Sequence, residues 1–298
     1  MREEYNISGS KSIDVSVIIV NYNTLHITQA CIDSVFEKTN NVAFEIILVD
    51  NASSDGSKDA FSKDDRIKYI YLDKNLGFGK ANNVGLEYAI GEYILCLNSD
   101  TILLNNAIEL FLNKIKQFPP SVACLGTILL DVNKKPTLSY GTFRSISKML
   151  KSLFCGVNNT LYDSTTYGST NDLFKVDYIT GADLFINRHV IDTCGFFDED
   201  FFLYFEETEM QYRFQRHGFD SYIFKEPQII HLEGASNQLA KLSKIQRIKK
   251  QIRRKCMIRK SERLFYKKTK SPISTYLIYY PITIIEFIFQ YITILLKG

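Results

Sequence analysis

The sequence lacks the features by which several classes of protein are recognised. Its six cysteines are scattered over 298 residues without a CxxC pair, which favours reduced thiols in a cytosolic protein over a disulfide framework or a zinc site. The first residues, MREEYNISGSKS, contain no apolar stretch, so we predict no signal peptide. There is no internal repeat and no low-complexity block. With 45% apolar residues, the chain is predicted to form one large domain, or a domain with an appendage.

Two common nucleotide-binding motifs are also absent. The P-loop pattern GxxxxGK[ST] does not occur. Gly77 and Gly79 begin a GxGxxG pattern, but the position of its third glycine is occupied by Asn82. The sequence therefore disfavours a P-loop protein and a dinucleotide-dependent enzyme.

Charge is distributed unevenly along the chain. Residues 241–270 contain 14 lysines and arginines and a single acid, Glu262, which gives a net charge of +13. The first 240 residues carry 21 basic and 31 acidic side chains, for a net charge of −10. The overall charge of +3 therefore conceals an acidic body and a basic tail. Such asymmetry is typical of a protein with an anionic partner, either nucleic acid or a membrane surface.

Short apolar runs alternate with helix-like segments in the first part of the chain. Near-continuous apolar runs predict strands that are covered on both faces, as in a parallel sheet. The strands are predicted at residues 15–20, 45–49, 67–72 and 93–97, with helices between them at 25–38, 58–62 and 80–89. This order predicts an α/β domain. Farther along, we predict helices at 105–117 and 206–217, strands at 122–130, 174–179 and 183–187, and a polar loop at 156–172.

Each of the four early strands is followed by asparagine or aspartate. These side chains are Asn21, Asp50, Asp73 and Asn98. Because ligands of open parallel sheets bind beyond the carboxyl ends of the strands, this edge is predicted to bind a ligand. Turn formation, which favours the same residue types, is the alternative for any one of them.

Several ordered blocks of the sequence resemble glycosyltransferase family 2, which comprises nucleotide-sugar-dependent enzymes of the GT-A type. The blocks are residues 17–57, 75–85 (NLGFGKANNVG), 97–101 (LNSDT), 181–182, 197–213 (FDEDFFLYFEETEMQYR) and 231–236. The resemblance implies a GT-A-like, Rossmann-type, mostly parallel sheet flanked by helices over residues 1–236, followed by a basic helical tail at 237–298. Within the family, the pattern is most similar to bacterial rhamnosyltransferases that build surface polysaccharide.

The resemblance implies a site for the nucleotide-sugar donor at the ends of the strands. Many family members have an arginine where Asn82 stands, and Lys80 is a candidate substitute for contacts to the pyrophosphate. The implied donor-binding residues are Val20, Asn21, Tyr22, Asp50, Asn51, Asn75, Gly77, Lys80, Asn82, Asn98 and Gly181.

A divalent metal is implied at the family's DxD motif, which here reads Asn98-Ser99-Asp100. Asp100 and His231 are the candidate ligands. Mg²⁺ is often bound through one or two carboxylates together with substrate phosphates, whereas an imidazole suits Mn²⁺, so both ions are considered. The alternatives are a carboxylate that caps a turn and a packed or surface histidine.

The candidate catalytic residues are Glu206 and Glu207, which correspond to the family's Glu-Asp pair. Glu207 is predicted to be the general base that takes the proton of the acceptor hydroxyl. Both acids would lie in the first turn of a helix, where the macrodipole favours the ionised form. A helix N-terminus that merely carries acids is the alternative.

The tail predicts association with a membrane surface. Leu242, Ile245, Ile248, Ile252 and Cys256 recur at helical spacing among basic residues, which is typical of an amphipathic helix at an anionic membrane. Nucleic-acid binding is disfavoured because no accompanying motif is present.

The last apolar segment, residues 273–296, is long enough to cross a bilayer. A polar stripe favours instead a helix that lies in the membrane interface or packs on a partner, and a helix buried on the protein's own body is the remaining alternative. The stripe consists of Thr283, Glu286, Gln290, Thr293 and Lys297.

Together these features predict an inverting, metal-dependent glycosyltransferase that is cytoplasmic and peripheral on the inner face of the cell membrane. By resemblance, the donor is dTDP-L-rhamnose and the acceptor is a lipid-linked glycan or a growing oligosaccharide or polysaccharide. The alternatives are a nucleotide-sugar-binding protein that has lost catalysis and a membrane adaptor protein.

Overall fold

The computed structural model describes residues 12–155, 171–232 and 243–297. Its central sheet has eight strands. Their spatial order is β3 (Lys68–Tyr71), β2 (Phe44–Asp50), β1 (Val15–Asn21), β4 (Tyr93–Asn98), β10 (Asp183–Asn187), β6 (Val122–Gly126), β11 (Asp220–Phe224) and β8 (Leu173–Val176). Strands β1, β2, β3 and β4 are mutually parallel, whereas β10 runs antiparallel to β4 and β6. The predicted α/β class with a mostly parallel sheet is confirmed.

Two small antiparallel sheets and a set of helices complete the fold. The small sheets pair β5 (Thr101–Leu103) with β12 (Ile229–His231) and β7 (Tyr140–Gly141) with β9 (Tyr178–Ile179). The helices are α1 (Leu25–Lys38), α2 (Ser57–Phe61), α3 (Phe78–Tyr88), α4 (Ala107–Ile115), α5 (Ile146–Cys155), α6 (Arg188–Cys194), α7 (Glu206–Arg216), α8 (Lys244–Thr269), α9 (Pro272–Ser274) and α10 (Tyr280–Lys297), with a π-helical turn at Thr275–Tyr279 before α10.

The strands bury both faces, as their continuous apolar runs predict. Val17 and Ile19 of β1 belong to the core on the face covered by α1 and α4, while Ile18 belongs to the core on the face covered by α3 and α7. Because successive side chains of a strand point to opposite faces, a strand between two helical layers needs apolar residues at every position. This arrangement fixes the sheet in the middle of the domain and leaves its edges for polar residues.

Two predicted strands differ in extent from those observed. The strand predicted at 122–130 ends at Gly126, where the amide of Thr127 donates to the buried carboxylate of Asp183 at 2.6 Å. The strand predicted at 174–179 is divided into β8 and β9 around Asp177, whose carboxylate accepts from the amide of Phe143 at 2.8 Å. In the first case a buried carboxylate accepts the hydrogen bond of the amide at which the strand ends. In the second, the partly buried carboxylate of Asp177 binds the amide of Phe143 at the break between β8 and β9. Most of the predicted loop at 156–172 lies outside the described residues.

The tail packs on the body through an apolar cluster of its own. The cluster joins α5 and the segment before α7 to α8 and α10. Its buried members are Met149, Phe201, Phe265, Tyr266, Tyr279 and Ile282. The described part of the tail therefore buries aromatic side chains against residues from the body.

A buried network of charges reinforces this contact. Arg144 donates to Glu262 and to Glu286, each at 2.5 Å, and Arg259 donates to the second oxygen of Glu262 at 2.7 Å. Although burial acts to lower it, the pKa of Arg144 is raised by the two carboxylates. A pair of buried charges offsets the cost of desolvation only when the groups are well paired, so this network fixes α8 and α10 on the body.

The C-terminal helix has a buried polar side and an exposed apolar side. Thr283 and Glu286, from the predicted polar stripe, are buried against the body, while Ile285 and Phe289 are 44% and 55% exposed. The side chains of the other stripe residues, Gln290, Thr293 and Lys297, lie outside the described residues. Of the segments described, Pro272–Phe289 is long and apolar enough to cross a membrane, by length and composition only.

Candidate active site

The parallel register of β1, β2 and β4 places the polar residues that end these strands side by side at one edge of the sheet. Asn21 at the end of β1 lies beside Asp50 at the end of β2, and Val20 lies beside Asn98 at the end of β4. The loops that follow these strands therefore start from one row of residues. This edge is where the sequence places the donor-binding residues.

Asn21 is fully buried and organises the first of these loops. Its amide nitrogen donates to the hydroxyl of Ser53 at 3.1 Å, and its oxygen accepts from Thr24 at 2.7 Å and from Thr28 at 2.9 Å. All these partners belong to the protein, so the side chain holds the start of α1 against the loop after β2. Its effect on a ligand at this edge is one of positioning.

Asp50 is held in a similar way. One carboxylate oxygen accepts from the amide of Ser53 at 2.9 Å, and the other accepts from the hydroxyl of Tyr69 at 2.7 Å. Burial and the neighbouring carboxylate raise the pKa of Tyr69, which keeps its hydroxyl protonated as a donor. By contrast, Tyr22 is 49% exposed at the same edge, and Val20 is partly buried.

Asn51 clamps the segment that is predicted to wrap the donor. Its amide nitrogen donates to the side-chain oxygen of Asn75 and to the carbonyl oxygen of Gly77, both at 3.1 Å, and its own oxygen accepts from the amide of Leu76 at 2.8 Å. The Asn75 oxygen also accepts from the amide of Gly77 at 2.9 Å. The turn is thus fixed in place from β2.

Gly77 allows this turn to contact the segment before α7. Its φ angle is +87°, and a Cβ atom added there would overlap the carbonyl oxygen of Phe202. That carbonyl accepts from the amide of Phe78 at 3.0 Å. Only glycine combines the left-handed backbone with such a close approach.

Lys80 and Asn82 do not reach the centre of the site. The Lys80 ammonium group lies 3.6 Å from the Glu199 carboxylate, and both side chains are substantially exposed. Asn82 is buried within α3 and donates to the carbonyl oxygen of Phe78 at 3.0 Å. The structure therefore shows Asn82 supporting the helix and Lys80 near the surface.

Asp100 and His231 are brought together by the pairing of β5 with β12. Thr101 lies opposite His231 in that register, and the His231 Nε2 atom is 3.2 Å from the Asp100 Oδ1 atom. The side-chain nitrogen of Asn98 lies 3.3 Å from the same Nε2 atom. In the LNSDT motif, β4 therefore ends at Asn98 and β5 begins at Thr101, and the turn between them presents Asp100.

These donors suit a hard divalent cation. Two ligands at right angles on an octahedral ion with bonds of about 2.1 Å are separated by about 3 Å, close to the distance between Asp100 and His231. In the described parts of the chain, no group of three or more histidine, cysteine, aspartate or glutamate side chains is placed to hold a metal. The protein's share of the ligands would be small, as is usual for an ion that also binds substrate phosphates.

Asp183 is a buried acid near this centre that the sequence analysis did not identify. One of its oxygens accepts from the amide of Thr127, and the other has no hydrogen-bond partner among the described residues. Burial raises the pKa of Asp183 to about 7, although the Thr127 hydrogen bond and the nearby His231 act in the opposite direction. An isolated acid inside a predicted strand, directly after Gly181 and Ala182, is the sequence signal that could have revealed it.

Glu206 and Glu207 begin α7, as predicted from the sequence. The two preceding residues, Tyr204 and Phe205, both have a φ angle of +70°, a strained conformation for such bulky residues. Burial raises the pKa of Glu206 well above its ordinary value, and the carboxylate of Glu207 raises it further. Burial also raises the pKa of Glu207. The pair is therefore more basic than glutamates in water.

Helix α7 is held in position by Arg213. This side chain pairs with Glu209 at 3.0 Å and donates to the carbonyl oxygens of Cys194, of Gly195 at 2.8 Å and of Phe196 at 2.6 Å. Glu209, in the first turn of α7, therefore helps to anchor the helix. These contacts hold the first turn of α7, which carries Glu206 and Glu207, against the segment that follows α6.

A cavity of about 680 Å³ connects these groups with the tail. On one side it is lined by Asn98, Gly181, Glu206, Glu207 and His231, and on the other by one face of α8 and by Phe287 of α10. Of the predicted donor-binding residues, only Asn98 and Gly181 line this cavity. The candidate base and a candidate metal ligand thus share one space, with the strand-end edge beside it.

Comparison with known families identifies the body of the chain. Residues 16–171, just over half of the chain, match the family model described as Glycosyl transferase family 2.

Three similar curated proteins are named as a hexosyltransferase, a glycosyltransferase and a polysaccharide synthase. The chain covers less than two thirds of the length of each. The low-salt glycan biosynthesis hexosyltransferase Agl10 of Haloferax volcanii is 31% identical over 214 residues, which cover 68% of this chain and 62% of that protein. The glycosyltransferase GlyG of Streptococcus pneumoniae is 34% identical over 108 residues, 35% of each chain. The poly-beta-1,6-N-acetyl-D-glucosamine synthase of Staphylococcus epidermidis is 27% identical over 177 residues, covering 55% of this chain and 41% of that one.

Solved structures share the fold at low sequence identity. GalNAc-T7, crystallised with UDP, GalNAc and Mn²⁺, is 14% identical with a TM-score of 0.58, covering 75% of this chain and 44% of that one. The mannosyltransferase PcManGT from Pyrobaculum calidifontis, in complex with GDP-Man and Mn²⁺, is 15% identical with a TM-score of 0.56, covering 93% of this chain and 70% of that one. These likenesses confirm the predicted GT-A-like fold.

Gly77 provides a test of the close contact between the turn at residues 75–77 and Phe202, which lies in the segment before α7. We expect Gly77→Ala to lower the free energy of unfolding by more than Gly218→Ala does. Both glycines have positive φ angles, +87° and +86°, so alanine is strained at either position. However, a Cβ atom at Gly77 would overlap the carbonyl oxygen of Phe202, whereas one at Gly218 meets nothing within 4 Å. Urea-induced unfolding of both variants measures the difference. Equal losses would show that the contact with Phe202 does not constrain the loop.

Proposed function

This chain belongs to glycosyl transferase family 2, and from that membership we propose that it transfers a sugar from a nucleoside-diphosphate donor to a hydroxyl group of a glycan acceptor. The observation that carries the proposal is the cavity lined by both Glu207 and His231, the latter 3.2 Å from Asp100. A basic carboxylate and a cation-binding pair in one space suit a displacement at the anomeric carbon.

Glu207 is the proposed general base. The acceptor oxygen forms a bond to the anomeric carbon while the bond from that carbon to the diphosphate oxygen breaks, and the leaving oxygen keeps the electron pair. The carboxylate of Glu207 takes the acceptor's proton, which its raised pKa favours. Direct attack opposite the leaving group inverts the anomeric configuration. Glu206, whose pKa is raised by burial and by the carboxylate of Glu207, supports Glu207 as a protonated neighbour.

Asp100 and His231 are the proposed ligands of a divalent cation, Mg²⁺ or Mn²⁺. When bound, such an ion neutralises charge on the leaving diphosphate. The side-chain nitrogen of Asn98 lies 3.3 Å from the same His231 Nε2 atom that would bind the ion, so metal binding would replace this contact. The Mn²⁺ in the titles of two structures with this fold supports the proposal.

The donor is proposed to bind along the edge formed by the ends of β1, β2 and β4. Tyr22 is exposed there and can lie along the base, while Asn21, Asp50 and Asn51 hold the surrounding loops. A rhamnosyl donor, dTDP-L-rhamnose, and a lipid-linked or growing polysaccharide acceptor are the finer parts of this proposal. Relatives named for glycan and poly-N-acetylglucosamine synthesis support the class of acceptor only.

We further propose that the protein is peripheral on the cytoplasmic face of the cell membrane. Ile245 of α8 is 66% exposed, and Arg253 and Lys260 are exposed farther along the same helix. The apolar outer side of α10 is exposed as well, with Leu277 at 73% in the turn before it. Basic and apolar side chains on the surface of one tail suit an anionic leaflet.

Substituting the proposed base tests the function directly. We expect Glu207→Gln to reduce sugar transfer by about 10²–10⁴-fold while nucleotide binding persists, because the amide cannot take a proton. Glu206→Gln should cause a smaller loss, since glutamine resembles the protonated acid that burial favours at this position. Donor consumption over a panel of nucleotide sugars measures both effects. Unchanged turnover by Glu207→Gln would remove it from the mechanism.

The pH dependence of the wild-type rate tests the same assignment. The rate should rise with pH through a pKa above the ordinary range of a glutamate, because Glu207, whose pKa is raised by burial, must lose its proton before it can act as a base.

The metal assignment is tested without reference to turnover. In titrations of Mn²⁺ in the presence of UDP, we expect Asp100→Asn and His231→Gln each to weaken binding by at least about tenfold. Asp192→Asn, which alters an exposed acid on α6, is the matched control and should bind Mn²⁺ like the wild type. If Asp100→Asn binds Mn²⁺ with wild-type affinity, the aspartate serves only the turn between β4 and β5.

Membrane association is tested with vesicles. The chain should bind vesicles rich in anionic lipid, and binding should weaken as the salt concentration rises. Arg253→Gln with Lys260→Gln should weaken binding by about tenfold or more, at about 1 kcal/mol for each charge. The exposed turn lysines Lys134 and Lys135 provide a control of equal charge. Equal binding to neutral vesicles would contradict the electrostatic part of the proposal.

A further inference from the structure

One face of α8 forms a wall of the cavity that contains Glu207. The residues on that face recur at steps of three and four, as a single side of a helix must. They are Gln251, Arg254, Lys255, Ile258, Arg259 and Glu262. One face of the basic tail therefore lines the candidate active site, although Gln251 and Arg254 on that face are also open to solvent.

The cations on this wall differ in how their charge is balanced. Arg259 pairs with Glu262 at 2.7 Å, and Glu262 is shared with Arg144. For Arg254 and Lys255, no carboxylate partner is found in the part of the chain that the structure describes, although the guanidinium of Arg254 lies 5.9 Å from the centre of the Tyr204 ring. Burial lowers the pKa of Lys255, and the neighbouring charges of Arg254 and Arg259 lower it further. Two adjacent cations thus face the cavity with a charge that an anion would balance.

The position of these cations relates them to the acceptor side of the reaction. The lining of the cavity combines Asn98 and His231 with Glu206 and Glu207 and with one face of α8. The strand-end edge, where the donor nucleotide is proposed to bind, contributes only Asn98 to it from the ends of β1, β2 and β4. A molecule that presents a hydroxyl group to Glu207 would extend toward Arg254 and Lys255.

An apolar stripe leads away from the same cavity. Phe287 of α10 lines the cavity. Ile284 precedes Phe287 by one turn, Ile288 follows Ile284 by one turn, and Tyr291 follows Phe287 by one turn. These three side chains are 43%, 52% and 40% exposed. A ligand held at Arg254 and Lys255 can therefore lay a hydrocarbon chain along α10 as it leaves the cavity.

We propose that Arg254 and Lys255 bind the phosphate or diphosphate group of an amphiphilic acceptor, whose hydrocarbon chain lies on the Phe287 side of α10. This inference rests on the proposed function, since it assigns the acceptor of the same site. Arginine and lysine are the residues that bind phosphates by charge-assisted hydrogen bonds. The stripe on α10 supplies the contact that a soluble sugar phosphate would not use.

Farnesyl diphosphate is a soluble probe of this site. By titration calorimetry, the 298-residue chain should bind it more tightly than it binds farnesol or inorganic pyrophosphate, each of which offers half of the chemistry. Arg254→Gln with Lys255→Gln should weaken farnesyl diphosphate binding by about tenfold or more. Lys134→Gln with Lys135→Gln removes the same charge from an exposed turn outside the cavity and should change binding by less than about twofold.

The same variants distinguish the inference from the proposed function. UDP binding should be retained by the Arg254 and Lys255 variant, which also shows that the chain is folded. If UDP binding falls as much as farnesyl diphosphate binding, the two cations serve the donor and the inference is overturned. Equal affinity for short-chain phosphatidylglycerol would assign them to a membrane headgroup and would overturn it too. If the wild type binds farnesyl diphosphate but neither binds nor consumes any nucleotide sugar, the proposed function fails while the anion site stands.

Discussion

The parallel pairing of β1 with β2 and β4 is the constraint on which the rest of the site depends. Register places Asn21 beside Asp50 and Val20 beside Asn98, so the loops that leave these strands begin at one edge. Two of the polar side chains in that row form their hydrogen bonds within the protein. Asn21 and Asp50 bind the hydroxyl and the amide of Ser53, respectively, and both are fully buried. Because a buried polar group must be hydrogen-bonded, the residues that end the strands shape the loops around a ligand and leave direct contacts to their neighbours.

The second constraint is the docking of the tail. Arg144 from the body lies between Glu262 of α8 and Glu286 of α10. The two carboxylates are almost completely buried, and the Arg144 side chain is 16% exposed. Loss of one member would leave a buried charge without its partner, which typically costs about 3–5 kcal/mol. The network therefore does more than attach two helices. It fixes the rotation of α8, and that rotation places Arg254 and Lys255 in the lining of the cavity, to which Arg253 and Lys260 do not contribute.

Between these two constraints lies the start of α7. Tyr204 and Phe205 adopt left-handed backbone conformations, and Arg213 anchors the helix from the opposite side through three carbonyl oxygens. Glu206 and Glu207 are thereby held in a buried position that raises the pKa of both. The strain and the desolvation are costs to stability that packing elsewhere offsets, as is usual for residues poised for proton transfer.

The sequence by itself determined the strands and helices that form the strand-end edge of the sheet, whereas β5, β7, β11, β12, α5 and α6 were not predicted. Helix α1 and strand β10 have the predicted bounds, and the polar edge, the Asp100–His231 pair and the acids at the start of α7 lie where the ordered motifs placed them. These features follow from local periodicity and from motifs of short span. Only the tertiary structure decided that Asp183 is buried near His231, that Asn82 supports α3, and which face of the basic helix looks into the cavity. The physical reason is that these outcomes depend on contacts between residues far apart in the chain, such as Arg144 with Glu286. A basic amphipathic pattern is compatible with solvent, membrane or protein, and only packing selects among them.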